Sequence, residues 1–260
     1  MTFLSAFRQT VFMQARLRLI FCLFLVGAAT LGPTRIVAAE AMDGADRLDV
    51  PCHPFPLLME FFDGVTPPAL PTGWSSTTWV TSNSGVPTPP ADTLPNAVFV
   101  DDPATSSDKQ LLSPSITLVC DAGAVQVAFR NNFNFQEGFD GGVLEVSYDG
   151  GLIFQDVLAA GGTFVLGGYN GTINSCCGNP LAGRQAWTGN SAGFIDTTAV
   201  SLPRGCLNQF IVRWRMGSDG SVSGEGWRID NVEIAQCNPP PVRRRPDPRP
   251  RPIPHPRPSA

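Results

Sequence analysis

The chain has few of the residues that build helices or carry protons in catalysis. Its 260 residues include a single lysine, Lys109, and two histidines, His53 and His255, and only 15% of the chain is charged. Glycine and proline, by contrast, number 26 and 25, and both residues end helices and supply turns. This composition predicts an all-β protein.

The shortage of histidine argues against several kinds of catalytic and metal site. A Ser-His-Asp or Cys-His site needs an imidazole, and upstream of the C-terminal tail the chain offers only His53. This histidine lies between Cys52 and Pro54, which is a poor setting for a general base. A zinc site is also disfavoured, because the cysteine spacing does not match one.

Long apolar runs are confined to the N-terminus. An arginine-containing lead is followed by an apolar run over residues 19–31 and by small residues at Val37, Ala38 and Ala39. This order predicts a secretory signal peptide over residues 1–39. The run is shorter than the roughly 20 residues that a membrane-spanning helix needs, and no later segment could span a bilayer. We therefore expect a secreted protein, extracellular, at the cell surface or in the periplasm, with no transmembrane segment in the mature chain.

The cysteines predict disulfides. Removal of Cys22 with the signal peptide leaves six, an even number that favours disulfides in an exported protein. We predict that Cys52 pairs with Cys237, because they bracket the folded region, and that Cys120 pairs with Cys206, because both lie in predicted turns. Cys176 and Cys177 then form a bridge between neighbours or pair elsewhere, since six cysteines allow fifteen connectivities.

Charge divides the mature chain into an acidic body and a basic tail. Residues 51–238 carry 7 basic and 17 acidic side chains, a formal balance of −10. Residues 239–260 hold ten prolines and six arginines, which predicts a disordered, extended polyproline tail. Its arginines could bind an anionic cell-wall polymer, and the alternative is a solvated linker. The acidic body argues against nucleic acid as a partner.

Between these ends, apolar residues recur with a period of two. Residues 125–130 and 210–216 each predict a strand with one buried face, and GGVLEVSYDGGLIFQDVL predicts a hairpin that turns at Asp149-Gly150-Gly151. After a lead segment at residues 40–56, we expect one domain at residues 57–238, a two-sheet antiparallel sandwich of jelly-roll type. Further strands are predicted at Leu57–Phe62, Trp74–Val80, Ala97–Val100, Ser115–Val119, Ile195–Leu202 and Trp227–Ile234.

The order of several motifs adds a resemblance. The series FFDGVTPPALPTGW, LLSPSITL, VAFRNNFNFQEGFDGGVLEVSYDGG, LAGRQAWTGNSAGF, FIVRWRMGSD and GEGWRIDNVEI resembles a jelly-roll module of secreted bacterial proteins. It is similar to MAM, cleaved-adhesin and concanavalin A-like modules over about residues 57–236. The resemblance implies a non-catalytic extracellular β-sandwich for adhesion, glycan or protein binding, or spacing, often with structural calcium. The added cysteines and the Arg-Pro tail depart from the usual pattern.

Calcium is the cofactor that the acidic body suggests, because it binds carboxylate and carbonyl oxygens at loop and strand ends. The resembling modules often hold calcium between the first and last strands, which points to Glu60 or Asp63 with Asp230. The alternative is that these acids cap turns and keep the protein soluble. The loop VDDPATSSDK offers further candidates at Asp101, Asp102 and Asp108.

Two loops rich in glycine, asparagine and aromatic residues form a candidate rim for a glycan ligand. They are GGYNGTINSCCGNP and GRQAWTGNSAGF, and the candidate ligand-binding residues are Tyr169, Asn170, Trp187 and Asn190. The alternative is that both segments are ordinary structured loops. Tryptophans at 74, 79 and 227 are further aromatic candidates for a sugar platform, although Trp214 and Trp227 occupy core-facing strand positions.

A glycosidase would instead need two carboxylates on either side of the scissile bond. The candidates are Glu137, Asp140 and Glu145 in QEGFDGGVLE. Active-site carboxylates on a strand share a face at i and i+2, whereas Gly141-Gly142 intervenes here, so we read Asp140 as a turn residue and Glu145 as an outward-facing one.

The segment SGEGWRIDNVEI breaks its own alternation. Trp227 and Ile229 share one phase, whereas Val232 and Ile234 share the other. Both apolar pairs can face the core only if an extra residue is accommodated at Asp230-Asn231, which predicts a β-bulge.

The sequence therefore predicts a secreted, non-catalytic binding or adhesion module for a glycan or a cell-surface protein, stabilised by calcium. The two alternatives are a glycosidase on the same scaffold and a structural spacer of the cell envelope.

Overall fold

The computed structural model describes residues 53–119, 123–201 and 209–238. These residues form strands, turns and loops with no helix, so none of them forms a helix that could cross a membrane. The described part of the chain is thus all-β, as predicted. The predicted signal peptide with its Cys22, the tail at residues 239–260, and three of the six cysteines of the mature chain lie outside it, namely Cys52, Cys120 and Cys206.

Thirteen strands are formed by the described residues. In chain order they are β1 (His53–Glu60), β2 (Val80–Ser82), β3 (Ala97–Val100), β4 (Ser107–Leu112), β5 (Val125–Asn134), β6 (Gly141–Ser147), β7 (Gln155–Asp156), β8 (Thr163–Leu166), β9 (Gly171–Thr172), β10 (Gln185–Ala186), β11 (Ile195–Ser201), β12 (Ile211–Ser218) and β13 (Gly226–Asn238).

The strands pair antiparallel into two main sheets and a short hairpin. The large sheet has the order β2-β3-β13-β5-β11-β8, with β1 pairing along the rest of β13. The small sheet has the order β4-β12-β6-β7, and β9 pairs with β10. The predicted hairpin is confirmed, because β6 pairs with β7 and both Gly150 and Gly151 have positive φ angles.

The core lies between the two sheets, where aromatic rings from both meet. Phe129 of β5 contacts Trp214 of β12 edge to face, with ring centroids 5.6 Å apart. Trp227 of β13 lies so close to Gly142 of β6 that a Cβ there would fall 2.4 Å from its ring. These facing sheets are consistent with a β-sandwich, in which the two inner faces interdigitate.

The predicted bulge is present in β13. The pairing of β13 with β5 shifts register between Asp230 and Glu233, and Asn231 has a φ of 49°. Both apolar pairs that flank the bulge are buried in the core. The extra residue therefore reconciles the two phases of the alternation.

Several strand boundaries differ from the prediction. β1 begins at His53 rather than Leu57, and Ser115–Val119 forms only an isolated bridge through Ile116 to Phe210. The end of the predicted loop VDDPATSSDK, residues 107–109, belongs instead to β4, which runs from Ser107 to Leu112. This segment becomes a strand because β12 supplies hydrogen-bonding partners along its whole length.

A proline-rich flap, residues 83–95, lies over the outer face of the large sheet. Arg228 and Asp230 project from β13 on that face and bond to the flap backbone. Asn132 of β5 adds a hydrogen bond to the carbonyl of Pro89 at 3.3 Å. The flap thus gives the large sheet a raised wall beside the exposed end of β5.

Candidate functional site

A polar groove of about 350 Å³ lies between the proline-rich flap and the loop that precedes β11. Its floor is the end of β5, one wall is the flap, and the other wall is the loop at residues 189–193. The lining residues are Pro87, Thr88, Asn132, Asn134, Asn190, Ala192, Gly193 and Glu225. Side-chain amides, a hydroxyl and a carboxylate thus converge on one concave surface.

Backbone pairing positions the two asparagines at the centre of the groove. Asn134 forms an antiparallel bridge with Asn190, because the 189–193 loop continues the sheet beyond the end of β5. The amide of Phe135 donates to the carbonyl of Gly189 at 2.8 Å, and that of Ser191 donates to the carbonyl of Phe133 at 2.9 Å. Main-chain hydrogen bonds therefore fix the backbone from which the two side chains project.

The polar groups of the groove differ in how far they are already bonded. Asn132 is buried and bonds to Pro89 and Ser191, while Asn190 Oδ1 accepts from Ala192 N at 2.6 Å. Within the described residues, the side chains of Asn134 and Glu225 make no hydrogen bond or ion pair. These two half-exposed groups can therefore bond to a ligand without breaking an internal contact.

Two glycines fix the position of Glu225. A Cβ on Gly224 would lie 2.3 Å from the carbonyl oxygen of Asn134, and one on Gly226 would lie 2.2 Å from that of Val100. Gly226 also has a φ of 110°, which other residues rarely adopt. The amide of Glu225 then donates to the carbonyl of Asn134 at 2.9 Å, and this places its side chain at the end of the groove.

Arg228 holds the flap wall of the groove in place. Its fully buried guanidinium donates to four flap carbonyls at 2.6 to 3.1 Å, those of Ser84, Val86, Pro87 and Pro90. It also lies 4.7 Å from the ring centre of Phe99. Burial lowers the pKa of Arg228 to about 10, so the side chain remains charged at neutral pH.

Asp230, the bulged carboxylate, also serves the flap. Its Oδ2 accepts from the backbone amides of Asp92 and Thr93 at 2.8 and 3.0 Å, and its Oδ1 accepts from that of Asn231 at 2.8 Å. Burial raises the pKa of Asp230 to about 6, with a smaller contribution from the charge of Asp63. Asp230 thus has a structural role that needs no metal.

The other predicted calcium ligands are distributed over two regions. Asp63 lies near Asp230, where its Oδ1 accepts from the amide of Asn96, and Glu60 accepts from the amide of Phe62. Asp108 lies on the small sheet, and both its oxygens accept from Arg215. No group of three or more His, Cys, Asp or Glu residues in the described ranges is arranged to hold a metal, and calcium stays a prediction.

Three of the four predicted ligand-binding residues lie outside the groove. Trp187 is fully buried, and its indole nitrogen donates to the carbonyl of Gly167, so it offers no exposed face to a sugar. Tyr169 bonds to Leu144 and Asp156. Asn170 is exposed, but its side chain is bonded to the backbone of Thr188 through both oxygen and nitrogen. Only Asn190 lines the groove.

The tryptophan platform considered from the sequence does not form. Trp74, Trp79 and Trp227 are at most 6% exposed, and they contact other aromatic rings in the core. They are buried because the two sheets need large side chains to fill the space between them. A ligand in the groove would therefore be held by hydrogen bonds rather than by aromatic stacking.

The glycosidase candidates do not form an accessible pair. Glu145 faces outward from the core, as predicted, but its carboxylate is buried and paired with Arg184, Arg213 and Arg215. Asp140 is fully buried, and Glu137 is exposed. Glu145 is thus committed to an ion-pair network on the outer face of the small sheet.

Of the described cysteines, Cys176 and Cys177 form a disulfide with each other on an exposed loop. This outcome is one of the two alternatives that the sequence left open. Cys237 is buried and disulfide-bonded, and its predicted pairing with Cys52 stays a prediction.

No family model matches the chain, and no curated protein matches it either. Among solved structures, the K2 cleaved adhesin domain of Lys-gingipain is similar, with 17% identity, a TM-score of 0.40, and coverage of 68% of this chain and 96% of that one.

Two further similar structures carry carbohydrate-related titles. The CBM22-1 xylan-binding domain of Xyn10C from Paenibacillus barcinonensis has 10% identity and a TM-score of 0.40, and the match covers 72% of this chain and 97% of that one. TmCBM61 in complex with beta-1,4-galactotriose has 14% identity and a TM-score of 0.36, with coverage of 63% and 88%. Likenesses at these TM-scores carry no argument about ligand or activity.

Proposed function

We propose that the protein is a secreted, non-catalytic carbohydrate-binding module of jelly-roll type that binds a hydroxyl-rich ligand in the polar groove. The observation that carries the proposal is the pair of unbonded polar side chains, Asn134 and Glu225, in a concave site whose backbone is fixed. Sugar hydroxyls both donate and accept hydrogen bonds, so they match an amide and a carboxylate placed side by side.

The composition of the groove favours a neutral or weakly cationic glycan over a protein ligand. Protein interfaces are enriched in buried aromatic residues, methionine and arginine, whereas this groove is lined by asparagine, threonine, glycine, proline and one glutamate. The negative charge of Glu225 argues against anionic sugars. Thr88, which is exposed on the flap wall, extends the polar lining and allows contact with more than one hydroxyl group.

The test is a glycan array followed by affinity measurements on the purified protein. For a glycan that binds, Asn134→Ala should raise the dissociation constant about 2- to 12-fold, since a neutral hydrogen bond contributes about 0.5–1.5 kcal/mol. Glu225→Gln should raise the dissociation constant about tenfold or more, because hydrogen bonds to a charged group are stronger.

Matched controls lie elsewhere on the same surface. Asn174→Ala and Glu137→Gln change exposed residues outside the groove lining and should leave the affinity unchanged. The proposal is wrong if no glycan binds, or if the groove and control variants bind equally well. Release of shortened glycan products that depends on Glu137 or Glu145 would instead support the glycosidase alternative.

A further inference from the structure

An acidic site separate from the polar groove lies where the ends of three strands, drawn from both sheets, come together. Asp102 follows β3, Asp140 precedes β6, and Asp219 follows β12. All three side chains are buried, with exposures of 2%, 0% and 2%. None of these residues belongs to the polar groove, although the amide of Gly224, next to Glu225, donates to Asp102 Oδ2 at 3.0 Å.

The carboxyl groups of Asp102 and Asp140 face each other and are only partly bonded. Asp140 Oδ1 accepts from the amide of Asp219 at 2.6 Å. The remaining oxygens, Asp102 Oδ1 and Asp140 Oδ2, are buried and have no hydrogen-bond donor. Asp102 and Asp140 lie within hydrogen-bonding reach of each other, yet two carboxylates cannot supply a donor.

No cationic side chain in the described part of the chain compensates this charge. Among the ion pairs of the described residues, none involves Asp102, Asp140 or Asp219. The single lysine of the chain, Lys109, bonds to Asp101 instead. Asp219 adds a third negative charge, and its Oδ1 accepts only from the amide and hydroxyl of Ser221. A buried carboxylate of this kind must be neutralised by a proton, a counter-charge or a metal ion.

We propose that Asp102 and Asp140 bind a hard divalent cation, with calcium as the probe, at this junction of the two sheets. Calcium takes oxygen ligands from carboxylates, backbone carbonyls and water, so two carboxylates with free oxygens form the core of such a site. The Asp63 and Asp230 region differs, because both oxygens of Asp230 already accept backbone N–H bonds. The cation site is independent of the proposed glycan binding.

The alternative occupant of the site is a single proton shared by the pair. Burial and the charge of Asp140 raise the pKa of Asp102 to about 7, so without a metal the pair would retain a proton well above the usual range. A cation would displace that proton. The two occupants are therefore distinguished by the response to calcium rather than by the presence of the buried pair.

The experiment measures the melting temperature of the chelator-treated protein as calcium is added at pH 8. At a calcium concentration about 100-fold above the dissociation constant, the wild-type midpoint should rise by about 5–10 °C. Asp102→Asn and Asp140→Asn should each abolish that rise. Asp101→Asn, which changes the neighbouring exposed acid, should retain it, and so should Asp230→Asn.

A second readout guards against variants that merely fold poorly. The amide of Asp102→Asn can donate to Asp140 Oδ2 and removes one of the facing charges. In chelator at pH 8, this variant should therefore melt above the wild type, and in calcium it should melt below it. A rise that persists in both Asn variants, no rise in the wild type, or no reversal of order between the two conditions would overturn the proposal.

Discussion

The packing of the two sheets can be tested at Gly142, where β6 passes directly over the indole of Trp227. A Cβ at Gly142 would lie 2.4, 2.6 and 2.8 Å from three atoms of that ring, whereas carbon atoms in contact prefer about 3.5–4.0 Å. The ring or the strand must therefore move by about 1 Å. We expect Gly142→Ala to destabilise the fold strongly.

The surroundings of Trp227 determine how much Gly142→Ala lowers the free energy of unfolding. Its ring is enclosed by Trp79, Phe135 and Trp187, with centroids 5.2 to 6.0 Å away. Its indole nitrogen donates to the buried Asn131 at 2.6 Å. Overpacking costs about 1–3 kcal/mol, and loss of a buried hydrogen bond costs about 1–3 kcal/mol more, so Gly142→Ala should lower the free energy of unfolding by about 2–6 kcal/mol.

The assay is urea unfolding followed by tryptophan fluorescence and near-ultraviolet circular dichroism. Gly220→Ala is the matched control, because a Cβ there meets no atom within 4 Å, and it should change stability by less than about 0.5 kcal/mol. In the Trp227→Leu background, the smaller side chain should relieve most of the cost of Gly142→Ala. A loss below about 1 kcal/mol for Gly142→Ala would refute the facing of β6 and β13.

Three further predictions concern the flap, the pH dependence and the tail. Arg228→Lys should speed amide hydrogen exchange in the proline-rich flap by at least about tenfold, because an ammonium group cannot reproduce the four hydrogen bonds that the guanidinium donates to flap carbonyls. Unchanged exchange would show that Arg228 does not hold the flap in place. Burial raises the pKa of Asp230 to about 6 and that of Asp102 to about 7, so the folded state holds their protons more tightly than the unfolded state. In chelator, unfolding free energy should therefore fall as the pH rises from about 4 to about 7, less steeply in Asp102→Asn; a rise over that window would contradict this sign. Deletion of residues 239–260 should abolish retention on anionic cell-wall material, and unchanged retention would make the tail a linker.

Local features of the fold could be predicted where the residue pattern that specifies them lies within one strand or one turn. The phase slip in SGEGWRIDNVEI located the bulge at Asp230, because apolar residues on both sides of it must face the core. The DGG turn located the β6–β7 hairpin for a similar reason. By contrast, β4 was missed, since Ser-Asp-Lys-Gln has weak strand propensity and its structure is imposed by pairing with β12.

The groove was only partly predictable because its residues are brought together over long sequence distances. Asn190 was selected from its glycine-rich loop, but Asn134 reads as one polar position in a strand, and its bridge to Asn190 depends on how that loop returns to β5. Alternating asparagines in RNNFNF were the available signal. Trp187 was predicted to contact a ligand because an aromatic residue in a polar loop is expected to be exposed. Its burial depends on contacts with neighbouring rings that the sequence does not show.

Glycan binding in the polar groove is tested most directly by an NMR titration that follows individual side-chain amides as the glycan selected by the array is added. If the groove binds the glycan, the amide signals of Asn134 and Asn190 shift in proportion to bound ligand, while the signal of Asn174, outside the groove, stays in place. Shifts confined to residues away from the groove, with Asn134 and Asn190 unchanged at saturation, would contradict it.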